Sequence, residues 1–348
     1  MPTRLPALFR SPLSSAYQFM LCAAGMAILA AAPPAEAVDL SLKTIRVGNL
    51  ARAYFSERGN IGKPQPLIIA LHAGGSSGSL LARHTGLAEV AEAAGYMIAF
   101  PNGTGLAIDA RTWNSGDCCG YAQMHKVDDV AFIRTLIDKL AADGLADRNR
   151  VYLAGMSNGG MMAYRLAAEA PGLFRAIAVV SGTLDVPPET VKAPMPVLHI
   201  HGSDDPLIPF LGGIGRRELT QQPRQSVARS IDTFVKANGA DPKPEVKDIP
   251  DTAGDGTTVR QYSYHTKTDA QSVVLYEVKG GGHNWPGGTA PLPDSGTVSQ
   301  NLDASRLIVG FFNRHGGARG TWEEHESGAG QPPGTAPLKP DASASPTR

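Results

Sequence analysis

The stretch Val151-Tyr-Leu-Ala-Gly-Met-Ser157-Asn-Gly-Gly-Met-Met-Ala-Tyr-Arg-Leu-Ala167 narrows the possible folds more than any other part of the chain. It joins an apolar run of strand length (Val151 to Ala154) to a run rich in Ala, Met and Leu that suits a helix, with a serine between glycines at the junction. Gly155-Met156-Ser157-Asn158-Gly159 has the pattern G-x-S-x-G. A strand that turns directly into a helix forces the serine into a strained backbone conformation and leaves little room for side chains two residues to either side. The turn lifts the serine hydroxyl clear of the sheet, at a helix N-terminus where amide N–H groups favour negative charge. Taken alone, the same residues also suit an ordinary strand-to-helix turn. A nucleophilic serine further needs an oxyanion loop upstream, then an acid and a histidine downstream.

The rest of the chain alternates strands with helices. Leu67 to Leu71, Tyr96 to Phe100, Ala176 to Val180, Val197 to Ile200 and Val273 to Val278 are short continuous apolar runs, as expected of strands buried on both faces. Helices are expected over Leu87 to Ala94, Val127 to Leu140, Gln225 to Ala237 and Leu302 to Arg314. Asp128 and Asp129 fall near a helix start and read as capping residues. Thr44 to Ser56 alternates around Gly-Asn and suggests a hairpin, while the segment after Ala237 reads as irregular, polar and edge-like. The fold class is α/β, with a mostly parallel sheet flanked by helices on both faces.

Residues 1–37 carry Arg4 and Arg10, an apolar run from Phe19 to Ala32 and an Ala35-Glu36-Ala37 cleavage pattern, and are expected to be a secretory signal peptide. The catalytic domain is expected over 38–315, and the tail from 316 to 348, poor in apolar residues, is expected to be disordered. The protein is then secreted or periplasmic, with no membrane association after cleavage, and is expected to be a monomer. Lys plus Arg and Asp plus Glu both number 32, so no net charge attracts nucleic acid. After Cys22 in the signal segment, the only cysteines are Cys118 and Cys119. Adjacent Cα atoms lie about 3.8 Å apart, below the usual disulfide range. They are therefore either a strained vicinal disulfide or two buried thiols, and no metal site or cofactor is implied.

The loop His72-Ala73-Gly74-Gly75 follows a buried strand, where small residues let a backbone N–H approach a substrate oxygen. The oxyanion hole is assigned to the N–H of Asn158 and of Gly74, with His72 bracing the loop. After the strand at 197–200, Asp204 and Asp205 compete as the orienting acid. His199 and His201 precede the acid and so stand in the wrong order for a base. His283, on a glycine-rich loop after the last strand, stands in the right one. It would take the Ser157 proton and return it to the leaving group. Trp113 and Trp285 are candidate substrate-binding residues, with Trp285 equally able to pack beneath its loop.

GMSNGGMMAYRLA, HGSDDPLIP, GGGHNWPGG, LHAGG and the WNSGDCCG…VDDVAFIR region together resemble the polyhydroxybutyrate depolymerase-like esterases, relatives of secreted feruloyl and acetylxylan esterases. The resemblance covers most of the chain up to about the last helix. It implies an α/β-hydrolase fold, a triad of Ser157, Asp205 and His283, no cofactor, and a carboxylic ester as the small or oligomeric substrate. Asp205 is selected over Asp204 by the family pattern H-G-x-x-D-x-x-[VI]-P, counted from His201. Ala73 departs from the family, which often has glycine there. The chain also lacks the linker and polymer-binding domain of full extracellular depolymerases, so soluble esters are expected to be better substrates than solid polymer. A peptidase on the same fold, or a catalytically silent binding protein on it, are the alternatives.

Overall fold

A computed structural model describes residues 38–57, 63–107, 110–217, 221–268, 272–289 and 294–318. The expected signal peptide, 1–37, and the expected tail, 316–348, apart from its first three residues, lie outside the described residues.

The strands are β1 (Ser41–Val47), β2 (Leu50–Ser56), β3 (Gln65–Leu71), β4 (Met97–Pro101), β5 (Ala146–Met156), β6 (Ala176–Val180), β7 (Val197–Gly202), β8 (Glu245–Ile249), β9 (Thr258–Tyr264) and β10 (Val273–Lys279). They form one sheet in the order β1-β2-β4-β3-β5-β6-β7-β10-β9-β8. The inner six run parallel, and each edge is extended by two antiparallel strands. Successive residues of a strand point to opposite faces, so each apolar run supplies two cores. Leu67, Ile69 and Leu71 enter one core, and Ile68 and Ala70 the other. α4 (Asp129–Ala142), α5 (Asn158–Glu169) and α6 (Val227–Asn238) cover the first face. α1 (Gly78–Thr85), α2 (Leu87–Ala93) and α7 (Ala304–Arg314) cover the second, and the short α3 (Gly120–Met124) sits in the loop after β4.

Three expectations change. The helix foreseen at Leu87 is preceded by a second, α1, capped by the Ser77 hydroxyl, which accepts from Leu80 N; Gly86, left-handed at φ 63°, parts the two. The region read as irregular contains β8 and β9. β8 is an edge strand exposed along most of its length, so no alternation marked it, and its charged residues suit an edge that must not recruit another strand. Asp128 does cap α4, accepting from Ala131 N at 2.8 Å, but Asp129 does not. Asp129 is buried, 2.7 Å from Arg52 on β2, and accepts from Asn114 N at 2.8 Å. It thereby ties the start of α4 to the loop that carries Trp113.

Candidate active site

β5 ends at Met156 and α5 begins at Asn158, which leaves Ser157 alone in the turn with φ 54° and ψ −123°. Such a conformation costs a non-glycine residue on the order of 1–3 kcal/mol and persists only when its surroundings over-determine it. Here Ser157 N donates to Val180 O at 2.8 Å, and Ser157 O accepts from Met161 N at 2.9 Å. The glycines of the motif are explained by close approach. A Cβ on Gly155 would meet the carbonyl of Gly159, and one on Gly159 would meet the carbonyls of Leu71 and His72.

The two expected oxyanion residues lie side by side. A Cβ built on Gly74 would be 3.5 Å from that of Asn158. Among the described residues neither backbone N–H has an acceptor within the protein. The sequence did not foretell the use of the Asn158 side chain. Its Oδ1 accepts from Trp113 N at 2.7 Å, and its Nδ2 donates to Trp113 O at 3.0 Å. The Trp113 indole N–H in turn donates to His72 O at 3.0 Å. One tryptophan therefore welds the start of α5 to the His72 loop.

His72 braces that loop. Gly103 N donates to its Nε2 at 2.9 Å, so the ring proton sits on Nδ1, which faces Ala73 O at 2.7 Å. Burial pushes its pKa down to about 4, and burial likewise holds His199 well below its ordinary value, with His201 adding to the effect. Both imidazoles gain a proton on unfolding before they can gain one in the folded state. Stability is therefore expected to fall as pH drops from about 6.5 to about 4, by on the order of 3 kcal/mol for His72 alone. Denaturant midpoints measured across this range test it; a flat profile would contradict it.

The acid and the histidine meet. Asp205 Oδ2 lies 2.8 Å from His283 Nδ1, and both side chains are buried. Asp205 Oδ1 accepts from the backbone N of Leu207 at 2.9 Å and of Ile208 at 2.8 Å. Burial acts to raise the Asp205 pKa. The charge on His283 and hydrogen bonds from His201 and His283 outweigh it and hold the carboxyl well below the usual carboxylate range. Asp204 is exposed and accepts from the Ser203 hydroxyl at 2.8 Å. The loop bearing His283 is pinned by His283 N donating to Ser295 O at 2.6 Å and by the Ser295 hydroxyl donating to Asn284 Oδ1 at 2.7 Å.

Ser157, Asp205 and His283 all follow the carboxyl ends of parallel strands, β5, β7 and β10. Between β5 and β7, the end of β6 touches both sides of the site. Val180 O takes the Ser157 N–H, and the Ser181 hydroxyl donates to Asn284 O at 3.5 Å. His283 Nε2 is the ring nitrogen that does not face Asp205. No hydrogen bond between Ser157 and His283 is formed in this structure.

Trp113 requires correction as a substrate-binding residue, and Trp285 takes the alternative of packing beneath its loop. Trp113 is fully buried between His72 and Phe132, and Trp285 is 5% exposed with its indole N–H bonded to the Ser305 hydroxyl at 3.1 Å. Neither ring offers a face for a substrate to stack on. One helical turn after Ser157, Met161 joins Ile208 and Cys118 in a small buried apolar cluster, with Cys119 and Leu207 packed against it. Cys118 and Cys119 are paired as a vicinal disulfide.

A family model described as Esterase PHB depolymerase matches residues 50–245. "Putative esterase NocK" of Nocardia uniformis subsp. tsuyamanensis is 34% identical over 297 residues, covering 80% of this chain and 84% of that protein. Feruloyl esterase C of Emericella nidulans is 32% identical over 158 residues, 45% of this chain and 50% of that protein, so this chain spans about half the length of that relative. Among solved structures, the acetyl xylan esterase from Aspergillus awamori superposes with a TM-score of 0.54 at 16% identity, covering 78% of this chain and 99% of that one. That likeness shows the α/β-hydrolase fold.

Proposed function

The chain belongs to the PHB depolymerase family of esterases and is a carboxylic ester hydrolase; from that premise we propose a serine mechanism run by Ser157, His283 and Asp205. Ser157 Oγ attacks the ester carbonyl carbon while His283 Nε2 takes its proton. The negative oxygen that develops is held by the N–H groups of Asn158 and Gly74. His283 passes the proton to the leaving alcohol, and an acyl group remains on Ser157. Water then attacks the acyl-enzyme with His283 again as base, releasing the acid. Asp205 keeps the His283 proton on Nδ1 and offsets the charge of the imidazolium.

The observation that carries this reading is the buried Asp205–His283 pair at 2.8 Å, at the same carboxyl end of the parallel strands as a serine in a strained turn. A pair merely needed for packing would not require the serine to bear that strain.

For the substrate, the half-buried Leu207, packed on the buried Met161 and Ile208, offers an aliphatic surface and supports a short aliphatic acyl or hydroxyacyl group. With both tryptophans buried, no aromatic platform from them favours a phenolic acid. Initial rates should therefore be higher on soluble hydroxybutyrate oligomers and acetyl esters, acetylated xylan included, than on methyl ferulate, and higher than clearing of a polymer suspension. Methyl ferulate as the fastest substrate, or rapid clearing with weak action on every soluble ester, would reject this choice of substrate.

A further inference from the structure

Two histidines stand at alternate positions of β7, His199 and His201, both fully buried on the face covered by α5 and α6. Val197, two residues before His199 on the same face, is the kind of residue such a strand ordinarily uses. An imidazole there is tolerable only if its ring nitrogens find partners. Both do, and the partners form a line. The Tyr164 hydroxyl on α5 lies 2.7 Å from His199 Nδ1, and His199 Nε2 lies 3.1 Å from His201 Nδ1. His201 Nε2 lies 2.8 Å from Ile208 O and 3.3 Å from Asp205 Oδ2. The two imidazole planes are within 2° of parallel.

The line has a direction. His201 Nε2 faces two oxygens that can only accept, so it carries a proton. Were His201 Nδ1 also to donate, His199 would have to donate to Tyr164, whose buried hydroxyl proton would then lack an acceptor among the described residues. With both rings neutral every group is satisfied: Tyr164 donates to His199, His199 to His201, and His201 to the oxygens of Ile208 and Asp205. Burial pushes the Tyr164 hydroxyl far up and His199 well down, so both remain neutral. Ile208 closes the arrangement, since its N–H holds Asp205 Oδ1 while its carbonyl receives His201.

We propose that Tyr164, His199 and His201 are positioning residues, a buried hydrogen-bond chain that sets the Asp205 carboxylate on His283. The proposal rests on the triad reading above. It assigns the chain two effects: it fixes the rotation of the carboxylate, and it moderates the charge on Oδ2, the oxygen that faces His283.

The test is steady-state kinetics on a soluble ester across pH, with thermal unfolding as the check on folding. His201→Leu should lower kcat by about 10- to 100-fold with KM little changed, the range found when a group that orients a reacting residue is lost. The acid limb of kcat/KM should move to higher pH, because a carboxylate with one donor fewer holds the imidazolium form of its partner more strongly. His201→Gln, whose amide N–H reaches toward the same two oxygens, should recover most of the loss. Tyr164→Phe, which removes a single oxygen, should show a smaller loss in the same direction. Wild-type kcat and an unmoved acid limb in His201→Leu would overturn the proposal, and so would a loss that tracks stability and is not restored by glutamine. If His201→Leu does not fold, an unchanged profile in Tyr164→Phe overturns it. Ser157→Ala, measured alongside, separates the two ideas: activity retained there sinks the triad reading itself, whereas its loss beside a fully active His201→Leu sinks only the chain.

Discussion

Asp205→Asn is expected to lower kcat by about 10⁴-fold on a folded protein, while Asp204→Asn stays within a few-fold of the wild type. The reason is the way Asp205 is held. Its Oδ1 accepts two backbone N–H groups, from Leu207 and Ile208, so in the asparagine variant that position must stay an oxygen. The new NH₂ is therefore forced into the place of Oδ2, which faces His283 Nδ1 and His201 Nε2. A donor now meets His283, the imidazole proton moves to Nε2, and the ring can no longer take a proton from Ser157. Asp204 is exposed and its carboxylate accepts from the Ser203 hydroxyl and not from His283, so an amide there changes little. Rates on a soluble ester and thermal midpoints of both variants check this. The reverse order would mean that the wrong carboxylate has been assigned.

The second large effect is on stability. Gly159→Ala should cost several kcal/mol, in the upper range for a point change, or prevent folding altogether. The added methyl would fall on the carbonyl oxygens of Leu71 and His72, which are backbone and cannot turn aside. The only relief is to move α5 away from β3, which also separates Asn158 from Gly74. Gly172→Ala is the control, because nothing lies within 4 Å of a Cβ there, and it should stay within about 0.5 kcal/mol of the wild type. Denaturant midpoints of the two variants decide it. A Gly159→Ala protein as stable as the control would show that the turn tolerates a looser approach than the structure has.

The inner strands were legible because burial on both faces leaves continuous apolar runs, and the Ser157 turn because its steric demands write glycines at fixed offsets. The segment after Ala237 was read as edge-like but not as strands, since β8 is wet on most of its length and carries no alternation. β5 was read four residues long and begins five residues earlier, at Ala146, in a polar stretch that masks it. Asp204 and Asp205 could not be told apart by residue type, and a family resemblance chose between them. The structure gives the physical difference, one carboxylate turned to solvent and the other bound by four donors. Trp113 was misread, and Trp285 left open between two roles, because a tryptophan near such a loop looks the same in sequence whether it faces the substrate or supports the loop. His199 and His201 were set aside as bases in the wrong order. Their partner Tyr164 lies 35 residues before His199, and only the packing of α5 on the sheet brings it near.

The central claim is that Ser157 is the nucleophile, activated by His283. Treatment of the active protein with a fluorophosphonate, followed by peptide mapping, tests this most directly. The expected result is one adduct, on Ser157, that appears in step with loss of esterase activity and fails to form in His283→Ala. An adduct on any other residue, or full esterase activity in protein labelled at Ser157, would contradict it.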